Sequence, residues 1–149
     1  MALITAVKVF SLILVFLSIY SCNFSKKGNP ERFKIGKFEI PAGKGYSKTA
    51  ITRIDSLQIE EYTKYINISS DSSVSVKKEK HIDTLFIKWK NNFSYTLQMK
   101  NPKKELDKDP IFVQITKVTD TSYNFTAKIG YSNYKQNGTI FIAKKDKKN

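Results

Sequence analysis

Apolar and polar residues alternate with a period of two along most of the chain beyond residue 30. In the run 85–90, Leu85, Ile87 and Trp89 share one face, and the run 93–100 repeats the alternation. Such alternation is typical of β-strands that bury one face. An Asn-Asn pair stands between the two runs and favours a tight turn, so this part of the sequence predicts a β-hairpin.

Further strands are predicted by the same alternation on both sides of this hairpin. On the C-terminal side, the run 123–131 follows a turn at Asp120 and Thr121, which separates it from the run 111–115. This arrangement predicts a second hairpin. The remaining predicted strands are 139–143 near the C-terminus and 33–40, 46–54, 56–63 and 65–69 on the N-terminal side.

Two connecting segments lack the alternation. The segment 101–110 contains Pro102 and Pro110, which exclude a central strand, so we expect a solvated loop with room for one helical turn. The segment 69–80 is rich in Ser and Lys. It is interpreted as either a protruding hairpin or a mobile loop.

The predicted fold class is all-β, because about eight short strands follow one another with turn signals between them. Successive hairpins give an antiparallel meander that forms a small barrel or a sandwich, and the sequential order favours an up-and-down barrel. The β domain is assigned to residues 31–143, followed by a basic tail at 144–149. This length is sufficient for one domain with a real core.

The N-terminus has the pattern of a bacterial lipoprotein signal. An apolar run from Val9 to Tyr20 follows Lys8, and Ser21 precedes Cys22, the only cysteine of the chain. A basic start, an apolar stretch and a small residue before the cut are the parts of an export signal. We therefore predict a signal peptide at residues 1–21 and, at 22–30, a lipidated cysteine with a polar tether.

Two alternatives to this interpretation are an uncleaved membrane anchor and a buried helix of the domain. A spanning helix needs about 20 apolar residues, which would place Lys8 inside the bilayer at a cost of roughly 2.5–3.5 kcal/mol near its centre.

The stretch after Cys22 contains no aspartate and no acidic cluster. The expected location is therefore the outer membrane, with the protein facing the periplasm.

The chain is strongly basic, with 26 Lys and Arg against 13 Asp and Glu and a net charge of +13. The sequence suggests a basic face that contains Lys77, Lys78, Lys80, Lys144 and Lys145. Near a membrane such lysines attract anionic head groups, whereas the alternative is an ordinary solvated surface. Nucleic-acid binding is not expected, because the aromatic residues fall mainly on the inward faces of the strands.

Few residues suggest chemistry. Arg53, Asp55, Gln58 and Glu60 form a possible polar cluster, either a ligand contact or a structural ion pair. His81 is the only histidine, and one histidine with one nearby carboxylate does not make a zinc site. We therefore predict no enzyme, no catalytic residue, no metal site and no cofactor.

Several short motifs, in matching order over most of the mature chain, resemble one family. They are Gly36-Lys37-Phe38, the run 52–60, the stretch from Trp89 to Tyr95, and Leu97 to Pro102. This pattern resembles small Bacteroidota (flavobacterial) envelope lipoproteins that are often filed under a DNA topoisomerase IV name. The resemblance implies an exported β protein, whereas a topoisomerase role is not expected, because the chain lacks the length and a Gly-rich phosphate loop. Two cysteines that relatives carry are absent here.

The sequence therefore predicts a lipid-anchored envelope protein that acts as a non-catalytic binding or scaffold module. Its expected partners are the membrane, through the lipid, and an envelope protein or an anionic glycolipid. The alternative function is a small-barrel carrier of an apolar ligand, with a cavity lined by Trp89, Tyr95 and Phe125. Aromatic residues crowding the inward faces favour a filled core and hence the first function.

Overall fold

The computed structural model describes residues 28–70 and 73–144, so the predicted signal peptide and most of the tether lie outside the described residues. Eight antiparallel strands close into a barrel in sequence order. Closure joins the first strand to the last, where Phe38 lies opposite Ile142. The strands are β1 (Gly36–Ile40), β2 (Thr49–Ile54), β3 (Leu57–Ser70), β4 (Ser73–Asn91), β5 (Ser94–Met99), β6 (Ile111–Val118), β7 (Ser122–Ile129) and β8 (Lys135–Ile142). The prediction of an all-β antiparallel meander is confirmed, and of the two architectures the barrel is the one that forms.

The strands β3 and β4 are longer than predicted. The predicted strands 56–63 and 65–69 are one element, because no turn residue separates them and β3 pairs with β4 from Leu57 to Ser70. Since β2 pairs with β3 only as far as Glu61, residues 62–70 and 73–81 extend beyond β2 as a ribbon, whose base is hydrogen-bonded to Gly45 and Ser47. The protruding hairpin is thus the correct alternative for this segment.

Other strand boundaries also differ from the prediction: the predicted strand 46–54 begins only at Thr49, because Tyr46 makes isolated bridges to Gly43 and Lys64, and the predicted strand 139–143 begins already at Lys135. The predicted strand from Phe33 begins only at Gly36, and Pro30–Phe33 forms a 3₁₀ turn. The Asn29 side chain begins this turn by accepting a hydrogen bond from the Glu31 N–H at 3.0 Å. The loop before β6 contains the expected helical turn, at Glu105–Lys108.

The barrel has two ends, defined by their connections. Because the strands alternate in direction, the β2–β3, β4–β5 and β6–β7 turns lie at one end, which we call the lower end. The N-terminal segment also reaches the lower end, where the Gly28 N–H donates to the Val118 carbonyl at 3.4 Å. The ribbon projects from the opposite, upper end.

Apolar side chains from all strands except β3, together with one residue from outside the sheet, form the apolar core, and β3 contributes the buried polar side chain of Gln58. Phe33 is fully buried and closes the lower end, with its ring 4.9 Å from Tyr123 and 5.9 Å from Phe38. Within residues 28–70 and 73–144, no helix is long and apolar enough to cross a membrane. The buried apolar residues are Phe33, Phe38, Ile51, Leu85, Ile87, Tyr95, Leu97, Val113, Ile115, Tyr123 and Ile140.

Candidate functional site

The centre of the barrel contains an arginine. Residues two apart on a strand face the same side, so Arg53 points inward like Ile51, its neighbour on β2. Its exposed fraction is 0%, and it is among the largest fully buried side chains of the described residues. A guanidinium remains charged in proteins, so the barrel encloses a positive charge.

Neutral groups satisfy this guanidinium. Arg53 Nε donates to Gln58 Oε1 at 2.7 Å, and Nη1 donates to the Phe33 carbonyl at 2.7 Å. Nη2 donates to the hydroxyls of Tyr95 and Tyr123 at 2.9 and 2.8 Å. The two hydroxyls are 2.8 Å apart and share a hydrogen bond. We call these five residues the arginine network.

Aromatic rings complete the enclosure of the charge. Arg53 Cζ lies 4.9 Å from the ring centroid of Tyr95, 5.3 Å from that of Phe38 and 5.6 Å from that of Trp89. The faces of such rings attract a cation, and the attraction grows when water is excluded. Burial, followed by the neighbouring Tyr95, raises the pKa of Tyr123 above its ordinary value, so this hydroxyl stays protonated.

A line of polar side chains leads from the network towards the upper end. Gln58 Nε2 donates to Glu60 Oε1 at 2.5 Å, and Glu60 lies opposite Asp83 across the β3–β4 pair. Further up, the Tyr62 hydroxyl donates to Asp83 Oδ2 at 2.8 Å. Burial raises the pKa of Glu60, Gln58 and Arg53 act in the opposite direction, and Asp83 adds to the increase.

The polar cluster suggested by the sequence is assembled only in part. Arg53, Gln58 and Glu60 come together inside the barrel, but Asp55 does not join them. Strand β2 ends at Ile54, and Asp55 lies exposed in the following turn with φ 50°. The prediction that Asp55 shares a face with Arg53 required the strand to continue through Asp55, but β2 ends one residue before it.

Sequence reasoning missed Tyr95, Tyr123 and Phe33 as partners of Arg53. A signal for the two tyrosines was present, because alternation places both on inward faces and a buried hydroxyl needs a hydrogen-bond partner. No comparable signal marked Phe33, whose contribution is a backbone carbonyl.

His81 lies at the base of the ribbon, opposite Tyr62 and on the same side of β4 as the inward residues Asp83 and Leu85. Its ring stacks on Tyr62 with centroids 5.2 Å apart, and its Nε2 is buried without a hydrogen-bond partner, 3.7 Å from Glu79 Oε2. Among the described residues, no group of three His, Cys, Asp or Glu side chains is arranged to hold a metal ion.

Replacing Glu60 by Gln is expected to remove part of the pH dependence of stability. Because the folded pKa of Glu60 is raised, its contribution to stability is complete below the ordinary value of 4.5 and is lost as the pH rises through the folded pKa. Glu60→Gln should therefore unfold at higher urea concentration than wild type at neutral pH, with the difference disappearing below about pH 4. Urea unfolding across this pH range measures the effect.

The matched control is Glu61→Gln, at the neighbouring outward position. Its carboxylate is exposed and lies 3.9 Å from Lys80 Nζ, so we expect little change at any pH. A Glu60→Gln curve that follows wild type at neutral pH would contradict the role given to burial.

The outer face of β5, β6 and β7 carries a basic groove. Phe112 lies between Thr96 and Lys128 in the strand register, and Gln114 lies between Ser94 and Thr126. The groove has a volume of about 440 Å³, and Lys90, Lys128 and Lys135, each with one ammonium group, are among the residues that line it. Among the described residues, no carboxylate lies within 4.0 Å of these three groups. We call this site the lysine groove.

A second concavity adjoins the lysine groove and shares Thr126 with it. It has a volume of about 510 Å³. Thr126 Oγ1 donates to Asn137 Oδ1 at 2.7 Å, and Thr139 Oγ1 donates to Asn124 Oδ1 at 3.1 Å. Hydroxyl and amide groups thus extend the groove across β7 and β8. Its lining residues are Thr116, Asn124, Phe125, Thr126, Asn137, Gly138 and Thr139.

The lysines that the sequence grouped into one basic face lie far apart around the barrel. Lys77, Lys78 and Lys80 belong to the ribbon at the upper end. Lys144 follows β8 at the lower end, and the closed strand order separates β8 from β4 by three strands in either direction. Lys145 lies outside the described residues.

Comparison of the chain with protein-family models, with curated proteins and with solved structures finds no match.

Proposed function

We propose that the protein is a lipid-anchored envelope module that binds the phosphate-bearing saccharide of an anionic glycolipid in the lysine groove, without catalysis. The observation that carries the proposal is the convergence of Lys90, Lys128 and Lys135 on one concave outer surface. Ammonium groups attract phosphate as point charges. The adjoining hydroxyl and amide groups suit the hydroxyls of a sugar.

Support for the anchor comes from the sequence. Cys22 follows the apolar run and is the only cysteine of the chain, and lipidation gives a lone cysteine in an exported protein a purpose. A lipid anchor holds the barrel at a membrane surface, where anionic head groups are present. The anchor and the groove thus support the same class of partner.

In this proposal the arginine network has a structural role. Arg53 has no exposed surface, and its partners are side chains and one backbone carbonyl of the chain itself. The carrier function would need a cavity lined by Trp89, Tyr95 and Phe125, but these rings pack on core aromatic rings. The ring centroids of Trp89 and Tyr95 are 4.6 Å apart, and those of Phe125 and Tyr123 are 6.3 Å apart. The binding function is therefore favoured over the carrier function.

Charge reversal in the lysine groove tests the proposal. The triple variant Lys90→Glu, Lys128→Glu and Lys135→Glu should weaken binding to a phosphorylated lipopolysaccharide oligosaccharide by about tenfold or more, because three attractive charges become repulsive. Calorimetric titration of the soluble oligosaccharide measures affinity without a contribution from the lipid anchor.

The matched control reverses three exposed lysines of the upper end, Lys44, Lys100 and Lys103. This variant has the same net charge, so we expect only a small loss of affinity at physiological salt. Equal losses in the two triple variants would show that net charge alone drives binding and would contradict the groove. The dephosphorylated oligosaccharide and inorganic phosphate, titrated separately, distinguish recognition of sugar from recognition of phosphate.

A further inference from the structure

Four apolar side chains form an outward row from the residue before β1 to β4, beside the β2–β3 turn of the lower end. Ile54 lies opposite Leu57 in the register, and Leu57 lies opposite Phe86. Gly36 pairs with Arg53 in the antiparallel register of β1 and β2. Ile35 precedes Gly36 and Ile54 follows Arg53, so Ile35 and Ile54 are neighbours. We call Ile35, Ile54, Leu57 and Phe86 the lower stripe.

Three of the four side chains of the lower stripe are exposed, and Leu57 is half-buried. The exposed fractions are 65% for Ile35, 52% for Ile54 and 46% for Phe86. Single exposed apolar residues are ordinary, but a contiguous apolar patch indicates a surface that contacts something else.

The position of the chain's N-terminal segment favours a membrane next to this end of the barrel. Gly28 is held at the lower end by its hydrogen bond to Val118, and Cys22 precedes it by six residues. Six residues span at most about 20 Å. A lipid on Cys22 therefore holds the lower end, and not the upper end, next to the bilayer.

Charge at the lower end favours an anionic surface. Lys37 and Lys88 flank the lower stripe on its outward face, each two residues from a member of the stripe. The acids Glu31 and Asp120 lie 2.9 Å and 3.9 Å from basic side chains, so their charge is largely compensated. Asp55 adds one negative charge at the lower end, whereas Lys90 and Lys144 add two positive charges.

We propose that the lower stripe lies in the headgroup region of an anionic bilayer, so that the barrel stands on the membrane with its ribbon pointing away. The proposal rests on the lipid anchor of the proposed function. Apolar side chains enter the boundary between head groups and acyl chains, and neighbouring lysines bind the anionic lipids. This orientation leaves the lysine groove on the side wall of the barrel, open to glycolipid head groups.

The test places one fluorescent probe at each end of the lipidated full-length protein. The Cys22 thiol is blocked by the lipid, so an environment-sensitive label attaches only to a new cysteine, Ile54→Cys at the lower stripe or Val76→Cys on the ribbon. The two positions have nearly the same exposure, 52% and 54%. In vesicles of phosphatidylethanolamine and phosphatidylglycerol, a lipid-attached quencher should quench the Ile54 probe several-fold more than the Val76 probe.

The outcomes separate this proposal from the anchor itself. Intact mass establishes whether Cys22 carries lipid. Equal quenching at both positions with the lipid present would overturn the docked orientation and leave the anchor intact, whereas an unlipidated Cys22 would overturn the anchor on which the orientation depends. Ile35→Cys provides a second lower-end probe, and near-ultraviolet circular dichroism confirms that each labelled variant is folded.

Discussion

Replacing Arg53 by Met is expected to lower the free energy of unfolding by about 3–5 kcal/mol, one of the two largest effects we predict. Methionine fills much of the same volume, but it leaves Gln58, the Phe33 carbonyl and two tyrosine hydroxyls without their shared donor. A buried polar group that loses its partner costs about 1–3 kcal/mol. Urea unfolding followed by circular dichroism measures the change.

The control for this experiment is Arg32→Met. Arg32 is exposed, and its nearest carboxylate is that of Asp120 at 3.9 Å, so the expected loss is within about 0.5 kcal/mol. A loss at Arg53 no larger than that at Arg32 would contradict the view that the arginine network stabilises the barrel.

A combined variant distinguishes a structural arginine from a functional one. Arg53→Met together with Gln58→Leu, Glu60→Leu, Tyr95→Phe and Tyr123→Phe removes the donor, its side-chain acceptors and the carboxyl group that depends on Gln58. Replacing a whole buried polar group of residues by apolar ones is often neutral or stabilising. We expect this variant to recover much of the stability lost in Arg53→Met. Its oligosaccharide affinity should also remain, because Tyr95 is the only one of these residues that lines the lysine groove and the three lysines are unchanged.

The sequence predicted the strands because their signal is local. Alternation with a period of two is visible within a few residues, and successive hairpins without intervening helices limit the fold to a meander. Closure was harder to predict, because it requires β1 to pair with β8 across most of the chain. The sequence therefore left barrel and sandwich open.

The arginine network shows why the site could be predicted only in part. Gln58 is five residues from Arg53, within reach of local reasoning, whereas Tyr95 and Tyr123 are 42 and 70 residues away. Only the closed barrel brings these hydroxyls to one guanidinium. The basic face differed from the structure for the same reason, since a charge run in the sequence does not specify a position around the barrel wall.

The sequence places Phe33 at the start of a predicted strand, 33–40. The assignment was wrong, since the chain makes a 3₁₀ turn there and enters β1 through Gly36, whose φ of 134° favours glycine. The turn inserts the Phe33 ring into the lower end and aims its carbonyl at Arg53. One residue thus closes the barrel and belongs to the arginine network.

Replacing Phe33 by Ala is expected to lower the free energy of unfolding by about 3–5 kcal/mol, comparable to the loss at Arg53. The substitution removes a ring that is fully buried against Tyr123 and Phe38, and it opens the lower end to water. Equilibrium unfolding in guanidinium chloride measures the loss. Hydrogen exchange of the β2 and β7 amides shows whether the core next to the ring opens.

Phe93→Ala is the matched control, because Phe93 lies in the β4–β5 turn at the same end with 48% of its surface exposed. We expect a loss within about 0.5 kcal/mol there, so equal losses at the two positions would contradict the closing role of Phe33. The double variant Phe33→Ala with Arg53→Met should lose less stability than the sum of the single losses. The reason is that both changes disturb the same hydrogen bond, and residues that share one network are not additive.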